Sequence, residues 1–397
     1  MNLDGINVLL GVKSPWQVTE VKVQEKNQVI DVFIDFERGT HFPCPSCGNL
    51  CRIHDSSYKR VRHLDVIDYR LYLNIKVPRV NCDRCGVKVF HADPWSRQGS
   101  HYSRKMEAKI IRFCKEMSMT AISNELGEPD NNLWRVFHHH VKFNILEKFN
   151  FKDVTRVCVD ETATKRGHSY ITIFSDYDTG LVLYVAKGRK MEVFDEFYGW
   201  LWDNGGHPGN VELFSMDMSV SYQAGRKAYF AGAQVVFDRF HIKQCLNDAV
   251  NKVRTEEVKS EKTLKKTKYI WLKNEQNLTA KQKDMLREFL HESSLDTARA
   301  YQLKSSFDML WSIQTRAVGP YIEKWIEKAL GLDLEPINDF VETIRDHFDG
   351  IVQSIVTGVT NAVSEGLNSL MQLARARARG YRNIENFMAM VYFLGSD

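Results

Sequence analysis

The sequence lacks the long hydrophobic runs that a membrane protein needs. No uninterrupted apolar stretch approaches the roughly 20 residues that span a bilayer, and no basic segment precedes an apolar core at the amino terminus. We therefore expect a soluble cytoplasmic protein with no membrane partner. At 397 residues, the chain is long enough for two or more domains with hydrophobic cores.

A strong charge imbalance is also lacking. Charged residues make up 26% of the chain and the formal net charge is only +4. This mildly basic balance permits a polyanionic partner but does not require one.

The eight cysteines do not indicate a disulfide framework, because cytoplasmic thiols are kept reduced. Four of them form two CxxC pairs, and a glycine that permits a tight turn follows each pair. They are Cys44, Cys47, Cys82 and Cys85. Their spacing predicts one structural Zn²⁺ held by four thiolates, with Cys51 or His54 as possible substitutes for a ligand. The alternative is four unrelated core cysteines.

Alternating patterns surround these pairs. Residues 16–37 alternate apolar and polar on both sides of the polar turn at residues 25–28, which predicts a half-buried hairpin. A second alternating stretch, residues 63–80, leads into the second CxxC pair. We predict a zinc-binding β domain over residues 1–100.

The pattern becomes helical after residue 100. A helix over residues 103–117, a short second helix, a break at residues 128–130 and a third helix follow the helix-turn-helix plan. We assign residues 101–150 to this domain. Asn132, Arg135 and His139 are the candidates for the face that enters a DNA groove. The alternative is a three-helix linker domain.

Residues 151–254 contain three short apolar strands followed by alternating helices and strands. This order predicts an α/β fold with a mixed sheet and helices on both faces, as in a ribonuclease-H-like catalytic core. Residues 255–347 are almost wholly helical and predict an all-α insertion. Residues 348–397 then return to the core with a terminal helix.

Three carboxylates occupy distinctive positions in this plan. The first strand is predicted to end at Asp160 and the fourth at Asp217, and Glu365 lies on the terminal helix. Oxygen ligands suit hard divalent cations, so the three predict a site for two Mg²⁺ or Mn²⁺ ions. Any one of them alone would be read as a surface or capping residue.

The terminal helix carries two stripes at helical spacing. The apolar stripe, predicted to face inward, comprises Val363, Leu367, Leu370 and Ala374. The polar stripe, predicted to line a cleft, comprises Asn361, Glu365, Asn368 and Gln372.

Basic residues near these carboxylates suggest contacts with DNA phosphates. Residues 252–273 contain eight Lys or Arg against three Glu, although a solvated amphipathic helix is the competing interpretation. Trp271, in the same stretch, is a candidate to stack on an unpaired base, with a core position as the alternative. The candidate phosphate contacts are Lys165, Arg166, His168, Lys265, Lys266, Arg375, Arg379 and Arg382.

Several segments carry a resemblance to a known family. They are VDETATKRGHSYITIFSDYDTGLVLYVAKGR, SMDMSVSYQAG, FDRFHIKQCLNDAVNKVR and TNAVSEGLNSLMQLARARARGYRN. Together with the zinc knuckles and the helix-turn-helix, they resemble the insertion-sequence L-three family of bacterial DDE transposases over almost the whole chain.

The resemblance implies that Asp160, Asp217 and Glu365 are the catalytic metal-binding triad. It also implies binding to terminal inverted repeats, cleavage at the element ends and joining to target DNA. Asp238 and His241 match the family's Asp-x-x-His motif, which implies a buried or phosphate-contacting role near the site. The sequence departs from the family after Glu365, where Leu373-Ala-Arg-Ala-Arg replaces the usual lysines. Little chain follows GYRN, so we expect nothing essential beyond it.

The predicted function is therefore that of a DNA transposase acting in the bacterial cytoplasm at the nucleoid. A homodimer or higher assembly on DNA is expected, because two element ends must be brought together. Two alternatives remain: a catalytically inactive sequence-specific DNA-binding protein, and a structure-specific nuclease without strand transfer.

Overall fold

The computed structural model describes residues 3–90, 94–164, 169–291, 294–359 and 362–396. At residues 362–364 it describes the backbone only. The chain divides into two compact units, Met1–Asn144 and Ile145–Asp397. None of the described helices is long and apolar enough to cross a membrane.

The first unit is built on a mixed β-sheet. Its described elements are α1 (Leu3–Leu10), β1 (Trp16–Gln24), β2 (Val29–Phe36), β3 (Phe42–Pro43), β4 (Leu50–Arg62), β5 (Arg70–Cys82) and β6 (Gly86–Val89). The strand order is β1-β2-β5-β4-β3, and β6 pairs with β5. β2 and β5 run parallel, whereas the other pairs are antiparallel. Ile34, Leu73 and Ile75 are fully buried in the core of this sheet.

The predicted hairpin over residues 16–37 is confirmed. β1 and β2 pair antiparallel around a short 3₁₀ turn at Glu25–Asn27. The second alternating stretch was placed too early, because β5 begins only at Arg70 and the preceding strand is β4. Most of β4 is exposed, so its charged residues do not alternate with buried ones as a half-buried strand would require.

Three helices complete the first unit: α2 (Arg104–Cys114), α3 (Met119–Leu126) and α4 (Asp130–His140). The Ser103 and Ser118 side chains cap the first two, and Gly127 ends α3 in the left-handed conformation. Ser103 Oγ also lies 2.6 Å from His63 Nδ1, which ties α2 to the segment that follows β4.

The second unit contains a five-stranded mixed sheet in its described part. The strands are β7 (Arg156–Ala163), β8 (Tyr170–Asp176), β9 (Val182–Lys187), β10 (Leu213–Met216) and β11 (Gln234–Phe237). The order is β11-β10-β7-β8-β9. β7, β8 and β9 are antiparallel neighbours, whereas β10 and β11 run parallel to β7.

Helices surround this sheet and extend beyond it. They are α5 (Glu192–Asp203), α6 (Val220–Tyr229), α7 (Arg239–Glu257), α8 (Lys268–Leu272), α9 (Ala280–His291), α10 (Asp296–Asp308), α11 (Val318–Leu330), α12 (Glu335–Asp346), α13 (Phe348–Thr357), α14 (Ala362–Ala378) and α15 (Ile384–Leu394). One hydrophobic core joins α7 through α13, with Trp271, Leu310 and Ile344 fully buried in it. A second core joins the sheet to α5 and α6, where the Phe174 and Phe197 rings stack at 4.3 Å.

The helix that carries Glu365 is not the last one. α15 follows it and closes the edge strand β9, which would otherwise present unpaired backbone groups. The Val185 amide donates to Tyr392 Oη at 2.9 Å, and the Val182 amide donates to the Gly395 carbonyl at 3.1 Å. The expectation that nothing essential follows GYRN is therefore wrong for the fold.

Candidate functional site

Asp160 and Asp217 lie on adjacent parallel strands. Ser215 of β10 pairs with Cys158 of β7, and each aspartate is two residues further along. Since side chains alternate between the faces of a sheet, this register directs both carboxylates toward the same face, where the charge of Asp217 acts on Asp160. Sequence reasoning placed Asp160 at the end of its strand, but β7 continues to Ala163. The prediction for Asp217 is accurate, because β10 ends at Met216.

The surroundings of Asp160 disfavour its charge. Its pKa is raised to about 6, chiefly by burial and also by the nearby negative charge of Asp217, although the hydrogen bonds from Glu161 and Asn368 and the charge of His241 act in the opposite direction. Its Oδ1 accepts from the Glu161 amide at 2.8 Å, and its Oδ2 accepts from Asn368 Nδ2 at 2.5 Å. A bound cation would relieve the repulsion between the two aspartates.

Asn368 brings α14 to the aspartates. This helix packs against β7, and the amide of Asn368 is its hydrogen-bonding contact with Asp160. Glu365 lies three residues earlier, on the same side of the helix, with its side chain exposed. The sequence placed Asn368 on the polar stripe, but nothing local in the sequence reveals its bond to a residue so distant in the chain.

The two predicted stripes of α14 are partly wrong. Leu367 is buried, but Leu370 is 46% exposed, and Met371 is buried in its place. The inward face is therefore rotated toward Asn368. Only the backbone of Val363 is described, and Asn361 lies outside the described residues.

The three carboxylates do not form a closed cage. Among the described residues, only four thiols come together as a group of potential ligands within 4.8 Å of one another. An open arrangement can still hold Mg²⁺, which keeps several waters and substrate phosphates as ligands. The arrangement can therefore present two carboxylates, with a third on the facing helix, to a cation and a phosphate.

His241 and Asp238 begin α7 beside this site. The Asp238 side chain is buried and accepts from the Phe240 amide at 3.0 Å, so it caps the helix. His241 Nε2 lies 3.8 Å from Asp238 Oδ2. Of the two roles expected for Asp238, buried or phosphate-contacting, the structure shows the buried one, because its carboxylate is engaged within the protein. The half-buried His241 stays a candidate.

The four predicted zinc ligands meet in the first unit. Cys44, Cys47, Cys82 and Cys85 lie within 4.8 Å of one another. The Cys47 and Cys82 sulfurs are 3.6 Å apart, close to the ~3.8 Å between two thiolates on one tetrahedral zinc. The backbone amides of Arg84 and Cys85 lower the pKa of the Cys82 thiol to about 6, which favours the thiolate that zinc requires.

The proposed substitute ligands are not part of this group. The Cys51 thiol donates to the Asn49 carbonyl at 3.2 Å, and burial raises its pKa to about 11. His54 lies 3.4 Å from Asp55 on an exposed part of β4.

The candidate groove face lies on α4. Leu133, Val136 and Phe137 are the buried residues of this helix. Arg135 is exposed, Asn132 is half-buried, and His139 packs against Phe143 with ring centroids 4.4 Å apart. These three predicted residues share the side away from the core.

The predicted DNA contacts within residues 252–273 differ in their exposure to solvent. Lys265 and Lys266 are exposed. Trp271 is fully buried, and its Nε1 donates to Thr267 Oγ1 at 3.0 Å. The prediction that Trp271 stacks on a base is therefore wrong, because its ring packs between Phe289 and Tyr301.

Arg375, Arg379 and Arg382 do not share one helical face. α14 ends at Ala378, and Arg379 adopts the left-handed conformation with φ +53°. Arg375 packs over the Phe387 ring, whereas Arg382 is exposed in the turn before α15. Lys165, Arg166 and His168 lie outside the described residues.

Comparisons with known protein families divide the chain into three matches. Residues 157–391 match a family model described as a transposase. Residues 94–141 match the helix-turn-helix domain of transposase family ISL3. Residues 41–85 match the zinc finger of the transposases of IS204, IS1001, IS1096 and IS1165.

Two curated relatives are similar over most of their length. The transposase for insertion sequence element IS1001 of Bordetella parapertussis is 23% identical, and the alignment covers 88% of this chain and 87% of the relative. The transposase for IS1557 of Mycobacterium tuberculosis is 22% identical, with coverages of 87% and 84%.

Proposed function

The chain belongs to the ISL3 family of insertion-sequence transposases, and from this premise we propose that Asp160, Asp217 and Glu365 serve metal-dependent cleavage and joining of DNA. The observation that carries the proposal is the register of the adjacent parallel strands β7 and β10, which directs Asp160 and Asp217 toward the same face, where their charges interact. The bond from Asn368 to Asp160 supports the inclusion of α14, and with it Glu365.

The strand order supports a ribonuclease-H-like core. Such a core places an antiparallel meander beside two parallel strands, and the order β11-β10-β7-β8-β9 has this form. We propose that residues 151–254 and 348–397 build the core and that residues 255–347 are an all-α insertion. The zinc-binding β domain is assigned to residues 1–100 and the helix-turn-helix domain to residues 101–150.

The carboxylates fit two Mg²⁺ or Mn²⁺ ions because all three offer hard oxygen ligands. Such ions, when bound, activate a water or a 3′-hydroxyl as the nucleophile and stabilise the leaving oxygen. Asn368 fixes Asp160 through Oδ2, and the Ser219 amide fixes Asp217 through Oδ1 at 3.0 Å. The imidazole of His241 lies near Asp160 and can contact a phosphate or hold a proton.

DNA recognition is assigned to the first unit. α4, with Asn132, Arg135 and His139, would read the terminal inverted repeats in a major groove, while one structural Zn²⁺ holds the β domain together. Lys265, Lys266, Arg375, Arg379 and Arg382 would contact the phosphates of element-end or target DNA. Lys165 and Arg166 are assigned the same role from their place in the sequence. A dimer or larger assembly would bring two ends together at the nucleoid.

The test is incubation of the full chain with duplex DNA carrying the element's ends and Mg²⁺. Joined products would support the transposase mechanism. Hydrolysis without joining would favour the nuclease alternative, and binding without cleavage would favour an inactive DNA-binding protein.

Asp217→Ala should reduce cleavage to the uncatalysed background while leaving binding to the ends intact. Asp195→Ala, which removes an exposed carboxylate on α5, is the matched control and should cleave like the natural protein. Full cleavage by the Asp217 variant would falsify the metal-site assignment.

A further inference from the structure

A cleft with a cationic lining lies among the helices of the second unit. α7, α10 and the segment 273–283 enclose a cavity of about 600 Å³. Its cationic side chains are Arg239, Lys243, Lys273, Lys283 and Lys304. Among the described residues, two carboxylates, Glu275 and Asp308, line the same space.

The two carboxylates do not neutralise this charge. Asp308 is paired with Lys243, and Glu275 is the other acid against four further cations. Arg239 lies over the Trp311 ring at 4.7 Å, an interaction that leaves its guanidinium charge uncompensated. An anion that enters the cleft would therefore meet an excess of positive charge.

Lys304 is the most constrained of these cations. Its side chain is buried, and its ammonium donates to the Trp271 carbonyl at 2.8 Å and to the Leu272 carbonyl at 3.0 Å. An ammonium has three N–H donors, so a third is available to a ligand. Burial lowers the pKa of Lys304 to about 8, and an anion beside it would favour its charged form.

The remaining lining indicates the class of ligand. Asn274 and Gln276 add neutral hydrogen-bond donors, whereas Ser305 donates its hydroxyl to the Tyr301 carbonyl and Tyr301 is the aromatic group in the lining. An apolar small molecule would find little surface to bury here. Phosphate oxygens accept hydrogen bonds from ammonium, guanidinium and amide groups alike.

The cleft begins at the helical turn that also borders the carboxylates. Arg239 and Lys243 are one turn apart on one side of α7, whereas His241, near Asp160, is two residues from each and lies on the other side of the helix. The Phe240 side chain, 60% exposed, projects between these two sides. A DNA strand held at the carboxylates would therefore cross this turn of α7, past Phe240, to reach the cleft.

We propose that this cleft binds backbone phosphates of the DNA strand that leaves the carboxylate site. The proposal rests on the proposed function and adds a DNA contact distinct from α4 and from the exposed Lys265 and Lys266.

The test compares the salt dependence of DNA binding. Lys273→Gln/Lys283→Gln removes two charges from the lining without touching the buried Lys304. Lys324→Gln/Lys328→Gln removes two charges from an exposed face of α11 outside the cleft and is the matched control. Affinity of each full chain is measured against salt concentration, with an element-end duplex and with a random duplex of equal length.

The slope of log affinity against log salt should become shallower in the cleft variant by about 0.9 for each DNA phosphate that the variant no longer neutralises. The control should keep the natural slope, and the unfolding temperatures of all three proteins should agree. An unchanged slope in the cleft variant would overturn the proposal. Because the readout is equilibrium binding, a failure of cleavage or of end specificity would count against the proposed function and not against the cleft.

A second arm separates DNA phosphate from free phosphate. Inorganic phosphate is titrated into the natural protein and the cleft variant while thermal unfolding is followed. Stabilisation of the natural protein alone, together with an unchanged DNA slope in the variant, would assign the cleft to free phosphate and overturn its role in DNA binding. A shallower slope supports the DNA role, whatever phosphate does.

Discussion

At the scale of single residues, Asn368 is the contact that joins α14 to the candidate active site. Its amide donates to Asp160 Oδ2, one of the two oxygens that this carboxylate could offer to a metal ion. The side chain can therefore set the orientation of the carboxylate before an ion binds. Groups that orient metal ligands typically contribute 10- to 100-fold to affinity or activity.

We predict that Asn368→Ala raises the Mg²⁺ concentration needed for half-maximal cleavage by about 10-fold or more. Asn368→Asp should be worse, because it places a negative charge against Asp160. A Mg²⁺ titration of cleavage at saturating DNA measures the effect.

Gln372→Ala is the control, since Gln372 is exposed one turn further along α14. Binding to DNA should be the same in all these variants. An unchanged Mg²⁺ requirement in both Asn368 variants would contradict the positioning role.

The residue scale also marks the limit of sequence reasoning. The position of Asp217 could be predicted because the end of a buried strand leaves a local pattern in the chain, whereas Asp160 lies inside β7, which continues to Ala163. The Asn368 bond could not be predicted, because its partner comes from a distant segment. For Trp271 the structure shows the core position that the sequence offers as the alternative. Local charge suggested a DNA-facing Trp271, but the packing of Phe289 and Tyr301 around it decides its position.

At the scale of elements, α15 shows how an edge strand is protected. The Tyr392 hydroxyl accepts a hydrogen bond from the backbone amide of Val185. The helix also buries the side chains of Phe387, Val391 and Phe393. This helix is apolar on most sides, so it lacks the amphipathic period that identifies a surface helix. The sequence pattern does not reveal this helix for that reason.

We predict that Tyr392→Phe destabilises the second unit by about 1–3 kcal/mol, because it leaves the buried Val185 amide without its acceptor. Urea unfolding followed by circular dichroism measures the change. Tyr198→Phe, at a partly exposed position on α5, should change stability by less than about 0.5 kcal/mol. Equal stability of the Tyr392 variant and the natural protein would show that α15 does not secure this edge.

At the scale of the whole molecule, the chain consists of two compact units with separate cores. The change from alternating to helical patterns predicted the order of the parts, and the family matches follow the same order. Exact boundaries could not be predicted. The boundary between the two compact units falls between residues 144 and 145, within the segment assigned to the helix-turn-helix.

Because the chain divides into two units, we predict that removal of zinc lowers the stability of the first unit and leaves that of the second unchanged. A chelator strong enough to strip zinc should abolish the unfolding transition of the first unit, since structural zinc contributes about 10 kcal/mol or more in small zinc-dependent folds. The transition of the second unit should persist. Differential scanning calorimetry with and without the chelator resolves the two.

Cys82→Ser should reproduce the effect of the chelator, whereas Cys245→Ser, at an exposed position of α7, should not. Loss of both transitions on chelation would contradict independent units. Loss of neither would exclude a structural role for zinc.

The order of the parts along the chain has a consequence for synthesis on the ribosome. The first unit, with its thiol cluster and α4, is translated before the strands that carry Asp160 and Asp217, and Glu365 follows only after the long helical segment. A nascent chain can therefore fold its helix-turn-helix unit well before the third carboxylate exists. If the proposed function is correct, a product terminated between α7 and α14 is expected to bind element ends without cutting them and to compete with the full-length protein for the same ends.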